Sequence, residues 1–518
     1  MNLLSLHFLS FRKVKCYIFV YQFTKYIATI KDMKNRTIKY SLPIRIIDSN
    51  RPLELFNLLL QSQDDQIALY EPDLVSLNKG DYFILDFGEE KCGGVRILTG
   101  VNGSIYPNMN IRIRFGESIS ESCAELGEKG ACNDHSTRDF LMEIPALSDQ
   151  HFGETGFRFV RIDILEDTKI VHPFKAIYSW EFENNYKVIK EYKSEDPRLN
   201  QIFDTCKHTL ELCMQNRIWD GIKRDRLVWI GDMEPEIHAI MHLYGNIEVV
   251  KETLATAMHI NKMPCWINGI PSYSAWFLLI IYDIFDIAKD HEYVKTYEKY
   301  MNEIIHTFDV CLQNNDLDFD LIKLPYGMKN FIDWPSFRGD NEQERKDANV
   351  LLLQYIFPKI NEMYKVLGLD NTLIQSILDR LNNIKVDLPQ TKVFAAFYQL
   401  VYSDEKSYEI LIKDNSHNMS TFMSYYVLKA VAQKDKNKAV ELLKEYYGGM
   451  LDLGATSFFE DFNIDWVKES YRIDEINKGE KKDLHGDHGD HCYKGFRHSL
   501  CHGWSAGPIS FLIEEKIK

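Results

Sequence analysis

Hydrophobic spacing changes period once along this 518-residue chain, near residue 194, and that change constrains the fold more than any other feature. Before it, short runs alternate or stay apolar over four to eight residues. Examples are Tyr82-Phe-Ile-Leu-Asp-Phe87, Gly94-Val-Arg-Ile-Leu98, Ile111-Arg-Ile-Arg-Phe115 and Phe157-Arg-Phe-Val-Arg-Ile-Asp-Ile164. Turn residues separate them, at Asn78-Lys-Gly80, Gly100-Val-Asn-Gly103 and Gly153-Glu-Thr-Gly156. Many short strands with frequent turns predict an antiparallel β-sandwich over 33–190, and the polar stretch 117–139 reads as a long loop within it. After Ser194-Glu-Asp-Pro197, which supplies an N-cap with proline in the first turn, the period is helical. Helices are predicted over 236–259, 272–289, 293–313, 342–366, 372–384, 391–402, 420–432, 436–447 and 500–515. Residues 191–518 therefore form an all-α unit, and no 34- or 40-residue motif recurs to make it a solenoid. A closed toroid of helical hairpins suits this length, but an irregular bundle has the same periodicity.

The balance of 61 basic against 76 acidic residues, a net charge of -15, argues against nucleic acid as a partner. Ten cysteines without a C-x-x-C pair exclude a zinc ribbon and mildly favour a reducing compartment, so a cytoplasmic location is expected. Residues 1–32 alternate apolar and basic stretches, with no clean secretory pattern and no apolar run long enough for a membrane span. They are expected to be a leader outside the working fold. Aromatic residues reach 13% of the chain, which raises the prospect of sugar stacking without settling it.

The densest chemistry lies in 219–236. Asp225, Trp229, Asp232 and Glu236 recur at i, i+4, i+7 and i+11, the spacing of one helical face, although Gly231 and Pro235 also fit a loop running into a helix. Carboxylates around a tryptophan are poor core material and a good sugar site. The plainer alternative is a solvated face neutralised by Arg224 and Arg226.

This segment resembles the signature of the α-L-rhamnosidases of glycoside hydrolase family 78, D-x-x-x-R-(D/E)-x-L-x-W-x-G-D. Asp220, Arg224, Asp225, Leu227, Trp229, Gly231 and Asp232 match it in order. Gly454-Ala-Thr-Ser-Phe-Phe-Glu-Asp461 is similar to the family's G-A-T-x-x-W-E, with Phe459 in the tryptophan position. Arg497-His-Ser-Leu-Cys-His-Gly-Trp504, Gly93-Gly-Val-Arg96 and Arg114-Phe-Gly-Glu117 also resemble its segments. The resemblance implies an (α/α)6 barrel behind the sandwich and an exo-acting, inverting hydrolase of terminal α-L-rhamnose. Asp225 is then the general acid and Glu460 the general base. Asp220, Arg224, Trp229 and Asp232 bind the sugar, with no cofactor and a rhamnose-containing oligosaccharide or glycoside as partner. Asp225 departs from the commoner glutamate, and the family's C-terminal β-domain is absent from this sequence. Two rivals stand beside this reading: a hydrolase for another sugar on the same barrel, and a non-catalytic sugar-binding relative.

Trp276, after a Gly/Pro-rich loop, is a candidate stacking residue or a core tryptophan. Trp334 sits in a polar loop and matches a rhamnose-contacting region of the family. His485, His488, His491, Cys492, His498, Cys501 and His502 have zinc-like spacing, but their glycines and aspartates favour a loop. The resemblance places His502 in the sugar pocket, and no metal is expected.

Overall fold

The structure, a computed structural model, describes residues 36–518 except 64, 66–73, 102–107, 167–170, 314, 315, 326, 335–340 and 490–493. The expected leader lies outside the described residues, as do His491 and Cys492. Seven strands fill the first region: β1 Arg36–Ser41, β2 Arg45–Ser49, β3 Tyr82–Thr99, β4 Met109–Gly116, β5 Asp139–Ile144, β6 Asp149–Ile164 and β7 Phe174–Asn184. They make one connected antiparallel sheet, ordered β1-β7-β3-β6-β4-β5, with β2 also paired to β3. The two apolar runs at 82–87 and 94–98 belong to the single long β3. Its register against β6 shifts between Asp86 and Lys91 and again between Gly93 and Val95. Such bulges bend a strand, so the first part of β3 pairs with β2 and the second with β7. Val95, Ile97, Ile111, Ile113, Phe157, Val160 and Ile162 are all fully buried on one side of this bend. The 117–139 loop carries a short helix, α1 Ile119–Cys123, whose Ser118 cap accepts the Glu121 N–H.

Helices take over at α2 Pro197–Cys213, where Asp196 rather than Ser194 provides the cap, accepting from Arg198 N at 2.8 Å. The helix expected over 236–259 is two, α3 Met233–Leu243 and α4 Glu248–Ile260. Gly245, at φ 75, takes the left-handed turn that parts them. Then follow α5 Pro271–Asp286, α6 His291–Lys295, α7 Glu298–Cys311, α8 Glu342–Leu367, α9 Thr372–Asn382, α10 Lys392–Tyr402, α11 Glu405–Ile412, α12 Ser424–Ala432, α13 Lys436–Asp452, α14 Trp466–Glu469 and α15 Gly507–Glu514. The final helix is shorter than expected because 500–506 is not α-helical.

Six of these helices form a closed sequence of neighbours. α3 packs on α5, α5 on α8, α8 on α10, α10 on α12, α12 on α15, and α15 returns to α3. Apolar residues all round mark a helix with no solvent face, and α5 fits: every residue from Pro271 to Phe285 is buried. α2, α9, α11 and α13 lie against the outside of this ring. No helix among the described residues is long and apolar enough to cross a membrane.

The two regions meet along a polar seam. Lys223 reaches Glu117 at 2.9 Å and Glu121 at 3.1 Å, while Glu117 also accepts the Leu500 N–H at 2.7 Å. Arg158 of β6 binds Asp86 and donates to the Gly454 carbonyl at 3.1 Å. These contacts hold the loop 214–232 and the segments around Gly454 and Leu500 against the sheet, and these carry the site.

Candidate active site

Residues 219–232 are not one helical face. They form an irregular loop running into α3, and Asp220 folds it. Its carboxylate accepts the backbone N–H groups of Asp225 at 3.0 Å and Leu227 at 2.9 Å, closing the loop so that Asp225 and Trp229 face a common cavity. Gly221 forms an isolated bridge with His502, joining this loop to the 453–506 segment. Gly503 sits so close behind that a β-carbon there would lie 2.1 Å from the Glu236 carboxyl carbon. Any larger residue there would have to displace the Glu236 carboxylate.

The cavity has a volume of about 260 Å³, on the scale of one sugar ring. Asp220, Asp225, Asp232, Glu460 and His502 supply its polar wall, and Trp229, Tyr273, Phe331, Trp334 and Trp504 its aromatic one. A separate, larger groove of about 550 Å³ is lined by Asp461 and Trp466. The smaller cavity is the better candidate, because four carboxyl groups and five rings converge there.

Arg224 organises the centre. Its NH1 faces Asp225 Oδ1 at 3.2 Å, its NH2 donates to Glu460 Oε2 at 2.7 Å, and its Nε bonds the Arg497 carbonyl. One rigid guanidinium thus touches both carboxyl groups. Trp229 Nε1 donates to Asp225 Oδ2 at 3.2 Å. The Glu460 side chain also accepts the Ser499 N–H at 3.0 Å. Its backbone is pinned by Thr421 Oγ1 at 2.5 Å and Trp504 Nε1 at 3.0 Å, both donating to the Glu460 carbonyl.

Burial pushes Glu460 up to about 7, against the opposing pull of Arg224 and the Ser499 amide. Burial and the Asp225 charge raise Asp220 to about 7, while its two backbone donors resist. Burial and the neighbouring Asp220 also push Asp232 well above the usual carboxylate range, although Tyr273 donates to its Oδ1 at 2.5 Å. Burial, with Arg224 nearby, keeps His502 well below the ordinary histidine range and so neutral. Its Nε2 stands 3.9 Å from Asp220 and 4.0 Å from Asp232, and its ring lies 4.1 Å from that of Trp504. Asp220, Asp232 and His502 present ligand atoms within 4.8 Å of one another, as a cation or the hydroxyls of a sugar would need.

Of the residues singled out in the sequence, the structure brings Asp220, Arg224, Asp225, Trp229, Asp232, Trp334, Glu460 and His502 together, with Arg224 behind the wall. Trp276 is a correction. It is completely buried inside the helical ring against Phe397, Phe422 and Tyr426 and does not line the cavity. Tyr273, one turn earlier on α5, takes the place expected for it. Met328, Phe331 and Trp504 also line the cavity without having been assigned, although Trp504 closes a motif noted in the sequence. His135 had no signal at all. From the 117–139 loop, its Nδ1 reaches the Asp225 carbonyl at 2.9 Å and its Nε2 stands 3.6 Å from Asp225 Oδ1. The histidines of the zinc-like stretch are engaged separately: His485 with Ser118, His488 with Ser470, and His498 with the Asp461 N–H.

No protein-family model matches the chain, and no curated protein does. Solved structures do match in fold. A rhamnosidase from Klebsiella oxytoca with rhamnose bound superposes with a TM-score of 0.70 at 17% identity, covering 95% of this chain and 99% of that one. A family 78 rhamnosidase of Bacillus sp. GL1 gives 0.64 at 15% identity, and the α-L-rhamnosidase of Streptomyces avermitilis complexed with L-rhamnose gives 0.62 at 10%. The chain covers 89% and 83% of its own length in those two matches, but only 48% and 42% of theirs. The fold is therefore that of rhamnosidases, an antiparallel sheet followed by a helical region.

Proposed function

We propose that this chain is an exo-acting glycoside hydrolase that releases terminal α-L-rhamnose with inversion. In this reading residues 191–518 are an (α/α)6 barrel, the closed ring of six helices its inner layer, and 33–190 a β-sandwich domain. The observation that carries the proposal is the single guanidinium of Arg224 gripping both Asp225 and Glu460 at the wall of a cavity sized for one sugar. Asp225 gives its proton to the glycosidic oxygen as the bond from the anomeric carbon to that oxygen breaks. Glu460 takes a proton from the water that attacks the anomeric carbon from the opposite face. Asp232 and His502 meet ring hydroxyls, and Trp229, Tyr273 and Trp334 provide the faces against which the sugar lies. Asp220 serves the loop first, since both its oxygens accept backbone amides.

A panel of nitrophenyl glycosides, followed by NMR for the anomer first released, tests this reading. Turnover of the α-L-rhamnoside with initial β-rhamnose is the expected result. Turnover of another glycoside alone would move the substrate to a different sugar. Rhamnose binding without turnover would leave a sugar-binding protein.

A further inference from the structure

A second buried polar cluster lies deeper in the helical ring, one to two turns beyond the cavity along α3. Four groups of three His, Asp or Glu side chains among the described residues bring ligand atoms within 4.8 Å of one another. Three are already engaged. Asp220, Asp232 and His502 belong to the sugar cavity. Glu117, Glu121 and His485 surround the Lys223 ammonium, 2.9 and 3.1 Å from the two carboxylates. In His238, His242 and Glu514, the carboxylate meets both imidazoles at 2.6 and 3.0 Å through Oε1. Its Oε2 accepts from Tyr425 at 2.7 Å and Lys429 at 2.6 Å.

The fourth group, Glu234, His238 and Asp283, is different. Glu234 is fully buried, yet neither of its carboxylate oxygens has a hydrogen-bond partner, and the same holds for Asp283 Oδ2 and His238 Nδ1. These atoms face one another in the ring interior, with the Tyr426 hydroxyl also beside Glu234, and each unsatisfied polar atom there is costly. The tautomer follows from the chemistry. Glu514 Oε2 takes hydrogen bonds from the Lys429 ammonium at 2.6 Å and the Tyr425 hydroxyl at 2.7 Å, so the carboxylate serves as an acceptor. His238 Nε2 must then carry hydrogen toward it, which frees the Nδ1 lone pair in the neutral ring. That lone pair points to the space shared with Glu234 Oε1 at 3.7 Å and Asp283 Oδ2 at 3.4 Å. Donor atoms around a tetrahedral zinc ion stand roughly 3.4 Å apart when each is about 2.0–2.1 Å from the metal. A carboxylate behind the far nitrogen is also the usual support of a metal-binding histidine.

We propose that Glu234, His238 Nδ1 and Asp283 hold a divalent cation of the zinc type, a site in the ring interior separate from the sugar cavity. It ties α3 to α5 with no part in the chemistry of glycoside cleavage. His242 and Glu514 are only partly buried, so the cluster opens toward solvent at the ring's far end.

The test uses the full chain, purified without chelator and measured for metal content. It is then stripped and titrated with zinc chloride, alongside manganese and calcium chloride, while thermal unfolding is followed. We expect close to one equivalent of bound divalent metal and a rise in unfolding midpoint that saturates near one equivalent of zinc. In Glu234→Gln and Asp283→Asn, affinity should fall at least tenfold. Absence of stoichiometric metal, together with no shift for the stripped chain with any of the three ions, would overturn the proposal and leave a buried imidazolium in its place. Zinc binding that persists unchanged in both variants would also overturn it, moving the ion to the histidines of 485–502. Should neither variant fold, cobalt substitution in the unmodified chain decides. A tetrahedral spectrum with oxygen and nitrogen ligands supports the site, and an octahedral or absent spectrum rejects it.

Discussion

Glu460 and Asp225 hang from the same guanidinium but sit in different surroundings, and their substitutions should be told apart by different readouts. Glu460→Gln keeps the shape and removes the carboxylate proposed to activate water, so turnover should fall about 10²–10⁴-fold with little loss of rhamnose binding. Because burial holds this carboxyl near 7, kcat/KM should climb as pH rises through about 7, when Glu460 ionises. The same shift has a stability signature. A group whose folded pKa exceeds its unfolded value of 4.5 favours the fold at low pH and loses that advantage as pH rises toward 7. Glu460→Gln should therefore gain on the unmodified protein by about 1.4 kcal/mol per pH unit across that window, measurable by denaturant unfolding at pH 5, 6 and 7. Asp225→Asn should slow a rhamnoside with a poor leaving group far more than an activated nitrophenyl one. Equal slowing of both, with the leaving-group dependence appearing in Asp232→Asn instead, would transfer the acid role to Asp232. Asp225 and Glu460 were legible through the resemblance of 220–232 and 454–461 to a family's segments, whereas the helical-face spacing along 225–236 is not what this loop adopts. Trp276 was not legible, since α5 is apolar all round and periodicity cannot say which of its faces meets a cavity.

Element boundaries followed local chemistry where that chemistry was strong. The Pro197 start and the long α8 were visible in the sequence, whereas the break at Gly245 was not, because one glycine inside a helical pattern is tolerated as often as it terminates one. The 117–139 loop was readable as polar and irregular, but not as a carrier of site residues. Its contribution is a long-range one: the His135 Nδ1–H donates to the carbonyl of Asp225, 90 positions away. A short acid depends on where its backbone is held. His135→Ala should lower kcat about tenfold or more on poor leaving groups while KM changes less. His135→Asn, whose amide can occupy the Nδ1 position, should recover most of the rate. An alanine variant with unchanged kcat, or one slowed equally on activated substrates, would show that the contact does not act through the acid.

The whole molecule depends on the seam between sheet and ring. Lys223 is buried with Glu117 and Glu121, and its ammonium also donates to the Phe496 and His498 carbonyls. Lys223→Met would leave two interior carboxylates without their cation, a loss of about 3–5 kcal/mol that should appear as a lower unfolding midpoint. Rhamnoside turnover in the surviving folded fraction should fall as well, since Lys223 adjoins Arg224 in the loop that carries Asp225. The closed ring has a kinetic counterpart. Its last joint brings α15 onto α3, and the His238–Glu514 contact links positions 276 apart. Contacts of such sequence separation are slow to find, because chain entropy must be lost before they form. During synthesis the first five inner helices emerge before the helix that seals them, with apolar faces waiting for a partner still inside the ribosome. The ring closes only once α15 has reached α3, so the yield of folded protein in cells should respond to chaperones that shield apolar helices more than to any change in the cavity.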